Sequence, residues 1–164
     1  MAGERQSLAK RRAARGKRRF AMMGRVRLSH PDRIYWHDAG VTKETLAKYY
    51  KKIWKRMRPH VTGRVLALVR CPEGADGHCF FQKHARMGIP SEFLHLVQEK
   101  GEKVISIDNL DGLIALVQGG VLEVHTRGSA VDDRERANRL VFDLDSDKAG
   151  KYMRQRGVAL PRMG

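Results

Sequence analysis

Acidic residues are scarce in this sequence: 18 Asp and Glu stand against 33 Lys and Arg, a formal net charge of +15. An imbalance of that size points to an anionic partner, nucleic acid first and a membrane surface second. Cysteine is scarcer still. Cys71 and Cys79 are too few for a disulfide framework and no secretory signal is recognisable, so a reducing cytoplasm is the expected compartment. No stretch approaches the roughly 18 apolar residues of a membrane span. Hydrophobic residues nevertheless make up 41% of the 164, which supplies one core and excludes wholesale disorder.

The positive charge is uneven. Residues 1–27 carry ten Lys and Arg and one acid, residues 28–147 carry 18 bases and 17 acids, and five bases follow from Lys148 with no acid. This predicts a disordered basic arm over residues 1–25, a globular unit over 26–147 and an irregular basic tail over 148–164. The arm has no helical apolar stripe, so its expected role is salt-sensitive attraction to phosphate.

Within the globular unit, a short segment from Val26 to Trp36 is broken at Ser29-His30-Pro31-Asp32. Thr42 is a suitable N-cap, and Leu46, Tyr49, Tyr50, Ile53, Trp54 and Met57 share one helical face, with lysines behind it and Pro59 as the expected stop. Val65–Val69 has the composition of a buried strand, and Cys79–Lys83 is its expected hairpin partner after a Gly-rich turn. Phe93–Val97 and Lys103–Ile107 follow as strands. Asn109 caps a helix over Leu110–Gln118, closed by Gly119-Gly120. Val121–His125 and Arg139–Asp145 are the last expected strands. The fold class is α+β, with mixed or antiparallel sheets of short strands and a long amphipathic helix.

Asp143 and Asp145 are the sharpest chemical signal. At i and i+2 on a strand they project to one face while Phe142 and Leu144 take the other. Two such carboxylates repel unless a cation lies between them, and Mg²⁺ or Mn²⁺ suits carboxylate oxygens. A strand running into an acidic loop is the alternative, because Asp147 follows. His125 ends a strand, where it is either a hydrogen-bonded surface residue or a ligand-facing one. Phe80 and Phe81 are adjacent, so one faces the core and the other turns away. An exposed ring beside Lys83 would make a base-stacking platform; a sheet buried on both faces is the bland reading. His30, Arg33 and Lys43 bracket the broken segment and could converge on one phosphate. Cys71, His78, Cys79 and His84 do not have zinc-knuckle spacing, and no phosphate-binding Gly-x-x-x-x-Gly-Lys-[Ser/Thr] loop occurs.

Taken together, several segments resemble one family. They are Leu28-Ser29-His30-Pro31-Asp32-Arg33, Gly40-Val41-Thr42-Lys43, Leu68–Gly74, Cys79-Phe80-Phe81-Gln82-Lys83-His84, Asp108–Leu113, Gly120–His125 and Arg139–Asp145. In this order they are similar to the polymerase domain of bacterial DNA ligase D, in the archaeo-eukaryotic primase superfamily. The resemblance implies a primase-type fold and a place in bacterial non-homologous end joining, cytoplasmic and nucleoid-associated. The implied partners are DNA ends with a 5′-phosphate, a nucleoside triphosphate and a Ku-like end-binding protein. It implies that His30, Arg33 and Lys43 grip the 5′-phosphate and that Phe80 and Phe81 pack against template bases. It further implies that His125 lies near the incoming nucleotide and that Asp143 and Asp145 hold the divalent metal, Mn²⁺ or Mg²⁺.

The family's domain is nearly twice as long. Its third metal aspartate and its triphosphate-binding residues lie downstream of the Asp-x-Asp strand, whereas this chain ends 19 residues after Asp145. The expectation is a truncated piece that keeps end recognition and has lost its chemistry; a non-functional gene fragment is the alternative. Each missing electrostatic group is worth on the order of 10²-fold in rate. Primer extension by the 164-residue chain with Mn²⁺ is therefore expected to give no product, and product abolished by Asp143→Ala would overturn that expectation.

Overall fold

The computed structural model describes residues 19–85 and 88–140. Strand β1 (Phe20–Met23) turns through Gly24 and pairs antiparallel with β2 (Val26–Ser29). The boundary expected at residue 25 therefore falls too late. Met23, Val26 and Leu28 are buried in the core, and the Arg27 guanidinium lies 4.2 Å from the centre of the Phe20 ring. The flanking arginines hide this hairpin in a composition count.

Strand β3 (Ile34–Trp36) pairs with β4 (Val41–Thr42), which leads into helix α1 (Lys43–Val61). Thr42 caps it through a capping box: its hydroxyl accepts from the Thr45 amide at 3.2 Å, and its own amide donates to the Thr45 hydroxyl at 2.8 Å. Leu46, Ala47 and Val61 are buried, and Tyr50, Trp54 and Met57 pack on the core. Tyr49, assigned to that face by spacing, is 55% exposed at its margin. Pro59 does not end the helix. It lies in the last turn, where buried Val61 continues the helical path and Thr62 caps it by donating to the Arg58 carbonyl. The Pro59 and His60 carbonyls accept from the Arg139 guanidinium at 3.3 and 3.2 Å.

The main sheet is antiparallel and centred on β5 (Arg64–Arg70). Strand β9 (Val121–Ala130) runs the length of one edge of β5, while β6 (Phe80–Gln82) and β8 (Glu102–Ser106) share the other. A short 3₁₀ turn (Ser91–Phe93) replaces the start of the strand expected from Phe93, and β7 (His95–Glu99) pairs with β8. Helix α2 (Leu110–Gln118) is capped by Asn109, whose side-chain oxygen accepts from the Gly112 amide at 3.0 Å. Its Leu113–Val117 segment is entirely buried.

Strand β9 extends five residues past His125, because pairing with all of β5 holds the polar stretch Thr126–Ala130 in register. Arg139 and Leu140 are in no strand, since Arg139 is taken up at the end of α1; the remainder of the expected strand, 141–145, lies outside the described residues. The two cysteines are bonded to each other, Cys71 to Cys79, which makes a single staple across the β5–β6 loop and no framework. No described helix is long and apolar enough to cross a membrane.

The alternation along β5 divides the sheet. Leu66 and Leu68 are fully buried on the core side. Ala67 and Val69 are half-buried and face the side that carries Phe81, Glu123 and His125 in the neighbouring strands.

Candidate functional site

A cavity of about 190 Å³ opens where the β2–β3 turn, the start of α1 and the end of α2 meet. The turn is built by Ser29-His30-Pro31-Asp32-Arg33: the Arg33 amide donates to the His30 carbonyl at 3.0 Å, and His30 has a left-handed φ of 49°. Lys43 and Glu44, at the first turn of α1, donate their amides to the Arg33 and Pro31 carbonyls at 2.8 and 2.9 Å. Two amides that a helix start leaves unpaired thus fix the turn against the helix. His30, Arg33 and Lys43, far from regular in spacing, are thereby brought to one opening.

Lys43 is 4% exposed. Its Nζ donates to the Gln118 carbonyl at 3.3 Å and to Gln118 Oε1 at 3.5 Å, both long contacts. Burial and then the neighbouring Arg33 push its pKa down to about 8. The exposed Arg33 donates to the Pro72 carbonyl at 2.5 Å. Arg70 lines the floor, its Nε donating to the Gly119 carbonyl at 2.9 Å and its Nη1 to Gln82 Oε1 at 2.8 Å. Tyr35 is fully buried, and burial, opposed by Arg33 and Arg70, raises its pKa to about 12, so it is a neutral phenol donating to the Val117 carbonyl at 3.2 Å. Gly120 sits against Pro72 with φ at +78°, and a Cβ there would lie 2.9 Å from the Pro72 Cα. Among the described residues the lining includes His30, Arg33, Lys43 and Arg70 and no carboxylate. A lysine kept buried without an acid is an electrostatic cost that a bound anion removes.

The open face of the sheet carries the second group of candidates. Phe81 is 75% exposed, and its ring centre lies 6.4 Å from that of His125. His125 and Glu123, two apart on β9, share that face, with Nε2 and Oε2 3.0 Å apart. A cavity of about 280 Å³ beside them is lined by Ala67, Lys83, His84, Glu99 and Arg127 among others. Phe80 corrects the expectation that one ring of the pair enters the core. It is 38% exposed at the sheet edge, stacked on His78 and covered by the Arg70 guanidinium 5.4 Å from its centre. The buried neighbour is Gln82, which Arg70 needs as an acceptor. Arg70 therefore touches both regions, lying on the floor of the basic cavity and against Phe80.

Asp143 and Asp145 lie outside the described residues. Among the described residues no group of three or more His, Cys, Asp or Glu converges as a metal site. Sequence reasoning missed Arg70 and Gln118. An arginine ending a buried-type strand is a signal for the first. The second, at the last turn of an apolar helix, gave none.

Comparison with known proteins places these features in context. The family model of the LigD primase-polymerase domain matches residues 42–161. The multifunctional non-homologous end joining protein LigD of Pseudomonas aeruginosa is 35% identical over 147 residues, which is 88% of this chain and 17% of that protein. Its counterpart in Mycolicibacterium smegmatis is 35% identical over 126 residues, 74% of this chain and 16% of that protein. Among solved structures, the polymerase domain from Mycobacterium tuberculosis ligase D in complex with DNA superposes with a TM-score of 0.57 at 29% identity, over 65% of this chain and 38% of that one. The chain thus spans about a sixth of the curated relatives it matches.

Proposed function

The chain belongs to the LigD primase-polymerase domain family, and from that premise we propose that it is a DNA-end-binding segment of such a domain, gripping a 5′-phosphate in the cavity at Lys43. The observation that carries this reading is a cavity lined, among the described residues, by four basic side chains and no acid, three of them the residues that the family resemblance assigns to the phosphate. Charge-assisted hydrogen bonds to a terminal phosphate dianion are strong, and Arg33 and Lys43 come from two elements locked together by backbone bonds, so little ordering remains to be done on binding. That the M. tuberculosis neighbour is a complex with DNA supports the same class of ligand.

On this reading Phe81 meets template bases and Phe80, the other member of the pair, supports it from the sheet edge. Exposed Phe81 offers a free ring face for stacking, while Phe80 under Arg70 holds the end of β6 in place. Phe81→Ala is expected to weaken binding to a duplex with a single-stranded gap by about 1–3 kcal/mol and to leave melting unchanged. An equal loss on a nicked duplex, which has no unpaired template base, would show that the ring does not stack on bases.

The wider setting proposed is the one the family resemblance implies: joining of broken DNA ends, with a nucleoside triphosphate and a Ku-like protein as further partners. Nucleotidyl transfer in this family depends on a divalent metal, for which Asp143 and Asp145 are the candidate ligands, and His125 is the candidate active-site histidine. Among the described residues no set of donors fits a metal.

The reading is tested by fluorescence anisotropy on gapped duplexes that differ only in a 5′-phosphate or 5′-hydroxyl at the gap. Tighter binding of the phosphate, reduced by Arg33→Ala, is expected. Equal binding of the two would overturn it.

A further inference from the structure

We propose that the solvent face of α1 is a second DNA surface, contacting the phosphate backbone of the duplex that carries the end. At 100° per residue, Lys48, Lys51, Lys52, Lys55, Arg56 and Arg58 fall within an arc of about 160°. Leu46, Tyr50, Trp54 and Met57, which pack on the core, occupy the opposite side. All six basic residues are exposed.

Their lack of compensation separates this face from an ordinary solvated one. Lys48 pairs with Glu44 at 2.9 Å, and none of the other five has an ion pair with a carboxylate among the described residues. Like charges three and four residues apart destabilise a helix, and a face that only meets water usually mixes signs. Here Lys51/Lys55 and Lys52/Arg56 are such four-residue pairs, while Lys48/Lys51, Lys52/Lys55 and Lys55/Arg58 are three apart. From Lys48 to Arg58 the cations extend about 15 Å along the axis.

The occupant is chosen by charge spacing and position. Duplex DNA presents one phosphate per about 1.7 Å of its axis, enough to neutralise the whole face at once. Helix α1 also begins at the basic cavity, with Lys43 as its first residue, so DNA held there by its end has its backbone beside this helix. In that respect alone the inference rests on the end-binding reading above.

The experiment measures anisotropy of the full chain on the 5′-phosphate and 5′-hydroxyl gapped duplexes from 50 to 300 mM salt. The variant is K51Q/K55Q/R58Q, because Gln is nearly as good a helix former as Lys. Each lost phosphate contact removes about 0.9 from the slope of log affinity against log salt. The variant's slope is expected to be shallower by about 3, with affinity at 100 mM salt at least tenfold lower and the phosphate-to-hydroxyl ratio unchanged. A charge-keeping K51R/K55R variant retains the wild-type slope. A wild-type slope in K51Q/K55Q/R58Q, with its melting unchanged, overturns the proposal, as does an equal loss in K51R/K55R. Should wild type fail to prefer phosphate while the slope still falls in the Gln variant alone, the end-binding reading fails and this surface stands.

Discussion

Replacing Lys43 with Met is expected to raise stability and remove the preference for a 5′-phosphate in the same protein. Lys43 is buried and, among the described residues, has no carboxylate in its cavity and two long hydrogen bonds, both to Gln118. Its pKa stands at about 8 in the fold, against 10.5 ordinarily. Below pH 8 Lys43 is protonated in both states, but the fold holds the cation at a cost of about 3 kcal/mol relative to the unfolded chain. Between about pH 8 and 10.5 the unfolded chain keeps the proton that the folded one has lost, so stability rises with pH across that window. Met has similar length and no charge to desolvate. After the lost Gln118 contacts are subtracted, Lys43→Met should gain about 2 kcal/mol at pH 7, a rise of roughly 4–8 °C in melting temperature. The anion site loses its buried charge at the same time. A variant that melts lower than wild type would mean that Lys43 is a structural residue.

Arg70→Ala is expected to act in the opposite sense, with a loss of about 3 kcal/mol or more in urea denaturation. Arg70 is 8% exposed and satisfies the Gly119 carbonyl and Gln82 Oε1 while covering Phe80. Removing it strands buried acceptors at about 1–3 kcal/mol each. Arg70→Lys should rescue little, because an ammonium cannot reproduce the planar fork that serves three directions. Arg33→Ala makes the contrast, since Arg33 is exposed and its removal should leave the melting temperature nearly unchanged while weakening phosphate binding. Two arginines on one cavity are thus assigned different work. A stable, fully folded Arg70→Ala protein would contradict the assignment.

How far the sequence could be read depended on where the apolar residues fell. Thr42, Leu46, Tyr50, Trp54 and Met57 mark α1, and Asn109 with the apolar run after it marks α2, since both helices bury a face that repeats with the helical period. Strand β5 was legible for the same reason, as Val65–Val69 is apolar throughout. Strand β1 was not, because Phe20–Met23 lies among arginines and its pairing with β2 supplies what composition hides. The second half of β9 was equally hidden, being polar residues held by β5. His30, Arg33 and Lys43 were singled out by their order along the chain and by family resemblance. Their convergence depends on backbone bonds between the turn and α1 that no spacing rule contains. Arg70 and Gln118 reach the cavity from strands and helices distant in sequence, and Phe80 faces Arg70 because Gln82 takes the buried place. Asp143 and Asp145, the strongest chemical signal in the sequence, lie outside the described residues.

If a buried, protonated Lys43 grips the terminal phosphate, the phosphate preference must depend on pH. A phosphate monoester is already a dianion above about pH 7, so between pH 7 and 9.5 only the protein's charge changes. Anisotropy on the paired 5′-phosphate and 5′-hydroxyl gapped duplexes should show the preference falling as pH rises above about 8, where free Lys43 loses its proton. In Lys43→Met the ratio should be flat and near one. A preference that is constant across that range in wild type, or that survives in Lys43→Met, would mean that Lys43 does not hold the phosphate.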